Sequence, residues 1–277
     1  MNAPASVDLG AYCDRIGYAG PLAPTLETLR ALQVLHPATI PFEAIDVLLD
    51  RGVDLAPQAV DAKLIGARRG GYCYEQNGLF KRVLQAIGFQ VEGLIARVNW
   101  NAPADAPLRP PTHMALRVTI DGAPWLADVG FGSCVPTAPL RLDSAEPQAT
   151  PHERFRLLPA DLGWQLEAEL GGRWGPVYRL LPFPQLDIDY ELANWYTATH
   201  PQSHFRHRLI VTRATPGARH ALLGARLTVR SMDGGAAERR ILDADGIERE
   251  LAERFLLPVK PDWRPMIERA ALDIEPD

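Results

Sequence analysis

Cysteine is scarce in this chain: Cys13, Cys73 and Cys134 are the only three among 277 residues. The count is odd and the spacings are wide, which argues against a disulfide framework and for a reducing compartment. No two cysteines form a C-x-x-C pair, so a zinc site is not expected and no metal ligand is assigned. Long apolar runs are missing as well; none approaches the length of a membrane span. The segment Met1 to Gly10 lacks the basic stretch and apolar core of a secretory signal. These absences point to the cytoplasm and away from the membrane. Runs of lysine and arginine are also absent, and the net charge is −5, so no nucleic-acid partner is expected. An anionic ligand must therefore be held by local geometry, against a mildly unfavourable overall field. There are no internal repeats and no low-complexity tract. The length fits two domains or three small ones, with enough buried surface to need no disulfide or metal.

What is present falls into three stretches. The first ninety or so residues look helical. Leu26, Leu29, Leu32 and Leu35 repeat at helical spacing behind Thr25, a plausible N-cap, and Pro37 should stop that helix. A second helix is expected from about Cys73 to Ile87, where Phe80, Val83, Leu84 and Ile87 repeat and Gly88 fits the C-terminal cap. From Phe89 the period changes to that of strands. A proline-rich loop spans Ala102 to Pro111. Then Met114, Leu116, Val118 and Ile120 alternate up to an Asp121-Gly122 turn, and Trp125 to Val129 returns. Further strands at Phe155–Leu158, Trp164–Leu170 and Trp174–Leu180 predict a barrel or sandwich. Beyond Pro184, the stretch Tyr190 to Phe205 reads as a connecting helix. The last seventy residues mix strands (Leu209–Thr212, Leu227–Arg230) with a short helix at Glu250–Phe255.

Cys73 follows two glycines and opens a helix, with Arg68 and Arg69 just upstream. A helix N-terminus and nearby cations both favour a thiolate, the nucleophilic form. A buried structural cysteine is the alternative. His113 and Asp128 add a geometric argument. With a two-residue turn at Asp121-Gly122, Ile120 opposes Ala123 and Asp128 falls opposite Ala115. That makes Asp128 and His113 diagonal neighbours on one face of the hairpin. The alternative is a histidine and an aspartate on a solvated barrel face. A Cys–His–Asp set has a clear logic: the imidazole takes the thiol proton, and the carboxylate fixes its tautomer. His152, His200, His204, His207 and His220 lie in polar, loop-like contexts and read as surface residues. Cys134 reads as structural.

The run Arg69-Gly70-Gly71-Tyr72-Cys73-Tyr74-Glu75-Gln76-Asn77 closely resembles the nucleophile motif of arylamine N-acetyltransferases. Ile40-Pro41-Phe42-Glu43 is similar to the start of that family's Pro-Phe-Glu-Asn motif. Asp128-Val129-Gly130-Phe131-Gly132 resembles its catalytic aspartate and the following glycine turn, and His113 falls where its histidine should. The resemblance covers nearly the whole chain in order and spacing. It departs at Ala44, where the family usually has Asn; this bears on a local hydrogen bond and not on the triad.

The resemblance implies an α+β fold: an N-terminal helical bundle, a central β-barrel and a C-terminal α/β lid, with a cysteine-protease-like Cys-His-Asp site. Residues 1–90 would carry the nucleophile, 91–185 the barrel with His113 and Asp128, and 186–277 the connecting helix and lid. It also implies roles. Glu43 and Arg69 would form a supporting ion pair; two independent surface charges are the alternative. Phe42, Val98, Phe131 and Phe205 would line an arylamine pocket, where ordinary core packing is the alternative. Thr112, Phe131 and Gly132 would contact coenzyme A. Acetyl-CoA is then a co-substrate, with no tightly bound cofactor, and aromatic amines or hydrazines are the acceptors. The chain is expected as a monomer or homodimer. Rival readings are an amide synthase of the same fold, a papain- or transglutaminase-like cysteine hydrolase, and a non-catalytic binding protein.

Overall fold

The structure is a computed structural model that describes residues 7–100, 102–103, 106–233 and 235–274. Ala104 and Asp105 of the proline-rich loop, and residues 1–6 of the N-terminal segment, lie outside the described residues. Helices α1 (Leu9–Ile16) and α2 (Leu26–Thr39) come first, followed by the short strand β1 (Phe42–Glu43) and the single turn α3 (Ile45–Leu48). Helix α4 (Pro57–Asp61) runs into a π-helical turn at Ala62–Gly66, and α5 (Cys73–Ile87) closes the segment. The Thr25 hydroxyl caps α2 by accepting from Thr28 N–H. Pro37 does not stop that helix. It sits in the last turn, where its missing N–H forfeits a single intrahelical bond, and the Thr39 hydroxyl folds back on the Leu35 carbonyl at 2.8 Å. Helix α5 has the expected ends. Gly88 takes the left-handed conformation, and Phe89 N–H bonds back to the Leu84 carbonyl.

Eight antiparallel strands form the central sheet. They are β2 (Gln90–Val98), β3 (His113–Ile120), β4 (Ala123–Ala127), β5 (Leu140–Arg141), β6 (Gln148–Ala149), β7 (Arg154–Ala160), β8 (Gly163–Leu170) and β9 (Arg173–Leu180). Their order, β5-β4-β3-β2-β9-β8-β7-β6, curls into a nearly closed barrel. At the seam, the side-chain amide of Gln148 stands in for a strand. It accepts from Arg141 N–H at 2.6 Å and donates to the Arg141 carbonyl at 3.0 Å. Asp121 and Gly122 both have positive φ, as a two-residue hairpin turn requires, and Ile120 opposes Ala123 as expected.

Helix α6 (Asp187–Thr199) crosses back and docks on β2 at Gly93. A Cβ there would lie 2.3 Å from the Tyr190 hydroxyl, which donates to the Leu94 carbonyl. A 3-10 turn at His204–Arg206 follows, so the connecting segment is a shorter helix plus a turn, broken at Pro201. A second sheet then forms from β10 (Ile210–Thr215), β11 (Ala218–Leu223), β12 (Arg226–Ser231) and β13 (Glu238–Ile241). Its first strand is β1, paired through Phe42 with Thr212 and Glu43 with Val211. The wholly helical reading of the first ninety residues misses β1, because two residues carry no periodicity. The late helix also moves. It is α7 (Ala244–Glu253), capped by Asp243, whose carboxylate accepts from Gly246 N–H; the glycine in its first turn masks its start. A 3-10 turn at Pro261–Trp263 leads into α8 (Arg264–Ala271).

Three cores result. One lies between the helices and the outer face of β3, where Met114, Leu116 and Val118 meet Tyr12, Leu29 and Phe80. A second fills the barrel with Leu94, Ala96, Ala115, Phe155 and Tyr178. The third sits under α7 and α8, around Phe255 and Trp263. Strands β2 and β3 are thus buried on both faces at their centres, which explains their blurred alternation. No described helix is long and apolar enough to cross a membrane.

The seam gives a test. Gln148→Ala leaves the Arg141 N–H and carbonyl without these partners. Stability measured by urea unfolding should fall by about 1–2 kcal/mol with an unchanged m-value. An unchanged midpoint would show that the seam is held by other contacts.

Candidate active site

Asp128 follows the end of β4 and is fully buried. An unpaired carboxylate there would be very costly, and four donors meet it instead. His113 Nε2 lies 2.7 Å from Oδ2, and the Tyr178 hydroxyl donates to the same oxygen at 3.0 Å. Asn77 Nδ2 and Gly130 N–H donate to Oδ1 at 2.9 and 2.8 Å. His113 opens β3 on the barrel-interior side of the hairpin, diagonal to Asp128. That face is not solvated: the rings of Phe131 and Tyr178 lie 5.1 and 4.9 Å from the imidazole. With Nε2 taken by Asp128, Nδ1 is the free ring nitrogen, and Cys73 lies close enough to favour the protonated ring. Its thiol lies 3.6 Å from the Thr112 carbonyl.

Burial alone would drive the imidazole neutral. The Asp128 charge and hydrogen bond, with a further contribution from Cys73, outweigh it and push His113 up to about 10. Burial likewise raises Asp128, but His113, Asn77 and Gly130 N–H together hold it below the usual carboxylate range. Both shifts favour an imidazolium–carboxylate pair.

Helix α5 brings Cys73 to this pair, and its first turns are fixed from several sides. Asn77, one turn beyond Cys73, also donates to the Met114 carbonyl at 2.7 Å and accepts from Val129 N–H at 3.0 Å. It therefore ties α5 to both arms of the hairpin. Gln76 donates to the carbonyls of Pro41 and Gly71 and accepts from His36 Nε2. His36 is buried and held neutral, down at about 4, and its Nδ1 accepts from the Tyr12 hydroxyl. Gly130 must stay small, since a Cβ there would lie 2.8 Å from the Cys73 Cα.

Neither Tyr178 nor Asn77 was assigned from the sequence. Tyr178 is fifty residues from Asp128 and carries no local signal. Asn77 did carry one, the four-residue spacing from Cys73 that puts both on one helical face.

The upstream cations are not where the sequence reading put them. Arg69 is not free to act on the thiol: its Nε lies 2.8 Å from Glu43 Oε1, its Nη2 3.1 Å from Asp46 Oδ2, and its guanidinium stacks 4.7 Å over Trp263. Arg68 is exposed. Glu43 and Arg69 are thus a buried ion pair, extended by Asp46 and Lys63 to Glu75. At Ala44 no side chain caps α3; Glu43 Oε2 accepts the Ile45 N–H instead, at 2.8 Å.

The aromatic residues form two groups rather than one wall. Phe42 and Tyr72 each pack 5.9 Å from Phe205, whereas Phe131 packs with His113, Tyr178 and Trp100. Gly132 joins them. Its φ is +85°, and a Cβ there would touch both the Phe42 ring and the Thr212 hydroxyl. Val98 lies opposite Tyr178 across the strands. A cavity of about 580 Å³ lies elsewhere, on the far side of α5 between α4 and α6.

Two histidines read as surface residues are not. His220 is buried on β11 against the Thr215 hydroxyl, and His152 is half-buried between Thr137 and the Thr215 carbonyl. His152 sits where the barrel meets the second sheet, and His220 is on the other face of that sheet, toward Arg254; local polarity reveals neither contact. Cys134 is buried in the barrel, and burial pushes its thiol up to about 12.

A family model described as N-acetyltransferase matches residues 25–264, which places this chain in that class. The chain belongs to the arylamine N-acetyltransferase family. It is 44% identical to the arylamine N-acetyltransferase of Mycobacterium tuberculosis over 253 residues, 90% of this chain and 89% of that protein. It is 41% identical to the Escherichia coli protein of the same name over 252 residues, 91% of this chain and 89% of that protein. The solved structure of the Mycobacterium marinum arylamine N-acetyltransferase in complex with CoA superposes with a TM-score of 0.90 at 40% identity, covering 95% of this chain and 98% of that one.

Two expectations follow. Limiting iodoacetamide near neutral pH should label Cys73 before Cys13 or Cys134, whose thiols burial pushes up. Peptide mapping that finds Cys134 first would contradict the site geometry. The raised His113 also makes a stability statement. Between the ordinary histidine value and about 10 the folded state holds the extra proton, so this contribution is complete at low pH and fades as pH rises through that window. The fall in Tm from pH 7 to 10 should therefore be shallower in His113→Gln than in the wild type. An equal or steeper fall would show that His113 is not held protonated.

Proposed function

We propose that this chain transfers an acetyl group from acetyl-CoA to the nitrogen of aromatic amines or hydrazines, in two steps through an acetyl-Cys73 intermediate. The observation that carries the reading is Cys73, at the start of α5, set beside an imidazole whose Nε2 is held by the buried Asp128. The names of the relatives support the acceptor class, and the CoA-bound relative supports the donor.

In the first step, Cys73 Sγ attacks the acetyl carbonyl, the C–S bond to coenzyme A breaks, and the coenzyme leaves as a thiol with a proton from His113. One thioester replaces another, so the step is nearly neutral in energy and the acetyl-enzyme can accumulate. In the second, the amine nitrogen attacks the acetyl-Cys73 carbonyl, His113 takes the amine proton, and the thiol is restored. An aniline nitrogen is largely unprotonated at neutral pH and therefore nucleophilic, whereas an alkylamine is mostly protonated. Helix geometry leaves the Tyr74 N–H without an intrahelical acceptor, and we assign it to the developing oxyanion. Thr112, Phe131 and Gly132 are assigned to coenzyme A, and Phe42, Val98, Phe131 and Phe205 to the aromatic ring. Glu43 and Arg69 are supporting residues that hold the Gly70-Gly71 turn.

Kinetics tests the reading. Acetyl-CoA alone should release about one coenzyme A per enzyme in a burst, followed by slow hydrolysis. Adding an aromatic amine should turn the burst into sustained turnover with parallel double-reciprocal plots. Cys73→Ser should give no burst. Converging plots without a burst in the wild type would mean direct transfer in a ternary complex. Cleavage of a peptide amide, without turnover of any acyl-CoA, would indicate a hydrolase.

A further inference from the structure

One row of side chains on the outer face of the barrel carries unanswered positive charge. Thr112 N–H bonds the Ala96 carbonyl at 3.1 Å, which sets Thr112 beside Arg97 on β2. Arg97 is the direct cross-strand partner of Arg179 on β9, and Arg179 in turn faces Gln165 on β8. Alternation fixes the direction of these side chains. Ala96 and Leu180 belong to the barrel interior, whereas Ile95 and Leu181 pack toward the helices, so Arg97 and Arg179 stand on that outer side. Like charges directly opposite in a sheet repel. Among the described residues, no carboxylate is paired with either arginine, and each has its Nε buried without an acceptor. Gln165 brings no charge and spends its amide on Asn99 and two backbone carbonyls.

A third arginine belongs to the loop held against the pair. Arg97 Nη1 donates to the Arg109 carbonyl at 2.6 Å, drawing the proline-rich loop back across β2. Arg109 also lacks a carboxylate partner among the described residues. With burial acting first, its charge helps hold the nearby His204 below the ordinary histidine value, and His204 packs 4.0 Å from Phe205. The row ends at the nucleophile, since the Thr112 carbonyl lies 3.6 Å from Cys73 Sγ. From Thr112 to Arg179 is two strand spacings, about 10 Å. Three unpaired arginines this close to one thiol stand out in a chain of net charge −5.

We infer that Arg97, Arg109 and Arg179 form an anion subsite that receives a phosphate or carboxylate group of a substrate whose reacting end lies at Cys73. The inference rests on the acyl-transfer reading above. A guanidinium presents a planar fork of donors that matches either anion, and a bound anion would both supply acceptors for the buried Nε groups and relieve the cross-strand repulsion. Two sources carry the required chemistry: the phosphates of coenzyme A, and a carboxylate borne by an aromatic amine.

Calorimetric titration with four probes separates them. The probes are coenzyme A and its uncharged analogue pantetheine, and 4-aminobenzoate and its uncharged analogue 4-methylaniline. Arg97→Gln and Arg179→Gln should each weaken at least one anionic probe about ten-fold, while its neutral counterpart binds as to the wild type. Loss confined to coenzyme A identifies the phosphate, and loss confined to 4-aminobenzoate identifies the carboxylate. Both variants should melt no lower than the wild type, because each removes one of two opposed like charges. Arg109→Gln, on the exposed loop, should weaken the same probe without touching the sheet. Unchanged binding of both anions in all three variants would overturn the inference. So would equal losses for charged and neutral probes, or a wild type that does not distinguish them. Titration needs no turnover, so a wild type that binds these probes yet releases no coenzyme A from acetyl-CoA refutes the acyl-transfer reading alone.

Discussion

A single buried ion pair governs the arrangement of this molecule. Asp128 has no access to water, so its charge persists only because His113, Tyr178, Asn77 and Gly130 all donate to it. Those donors come from β3, β9, α5 and the turn after β4. Satisfying one carboxylate thus requires the helical segment, the hairpin and the far side of the barrel to come together. Removing any donor leaves part of a buried charge unanswered, which is among the larger penalties a fold can incur. The same pair turns His113 so that its free nitrogen meets Cys73. The stability of the fold and the proposed chemistry therefore rest on the same few hydrogen bonds.

Around this centre, much of the buried charge is compensated by ion pairs, although Arg15 and Arg213 reach only backbone carbonyls. Glu43, Arg69, Asp46, Lys63 and Glu75 form an alternating chain of ion pairs beneath the start of α5. Glu153 does the same between Arg219 and Arg230, where the barrel meets the second sheet. Arg97 and Arg179 differ from these in facing each other directly across the strands, each with its Nε lacking an acceptor. Their place beside Thr112 is what gives them functional meaning. The fold spends its buried carboxylates on anchoring and leaves these cations to a ligand.

Much of this was legible in the sequence wherever the signal was local. The Asp121-Gly122 turn set the hairpin register, and from it the diagonal relation of His113 and Asp128. The periodicity of Phe80, Val83 and Ile87, with Gly88 behind them, placed α5. Legibility failed where long-range contacts decide. Two-residue β1 has no period of its own and exists because β10 offers it an edge. Arg69 looked from its local context like a cation for the thiol; only the family resemblance paired it with Glu43, twenty-six residues away, and that pair is the one present. Tyr178 became a site residue only through closure of the barrel. His220 looked polar and exposed until the second sheet buried it. Pro37 ended its helix only in expectation, because the loss of one hydrogen bond in a last turn is small.

The central claim is that Asp128 keeps His113 charged beside Cys73. Nitrogen NMR of the His113 ring, followed across pH, tests it most directly. The account predicts a ring protonated on both nitrogens at about pH 8, losing a proton only near 10. It also predicts that Asp128→Asn brings the transition down toward the ordinary histidine range. A wild-type ring already neutral at about pH 8, with a transition near or below that ordinary range, would contradict it.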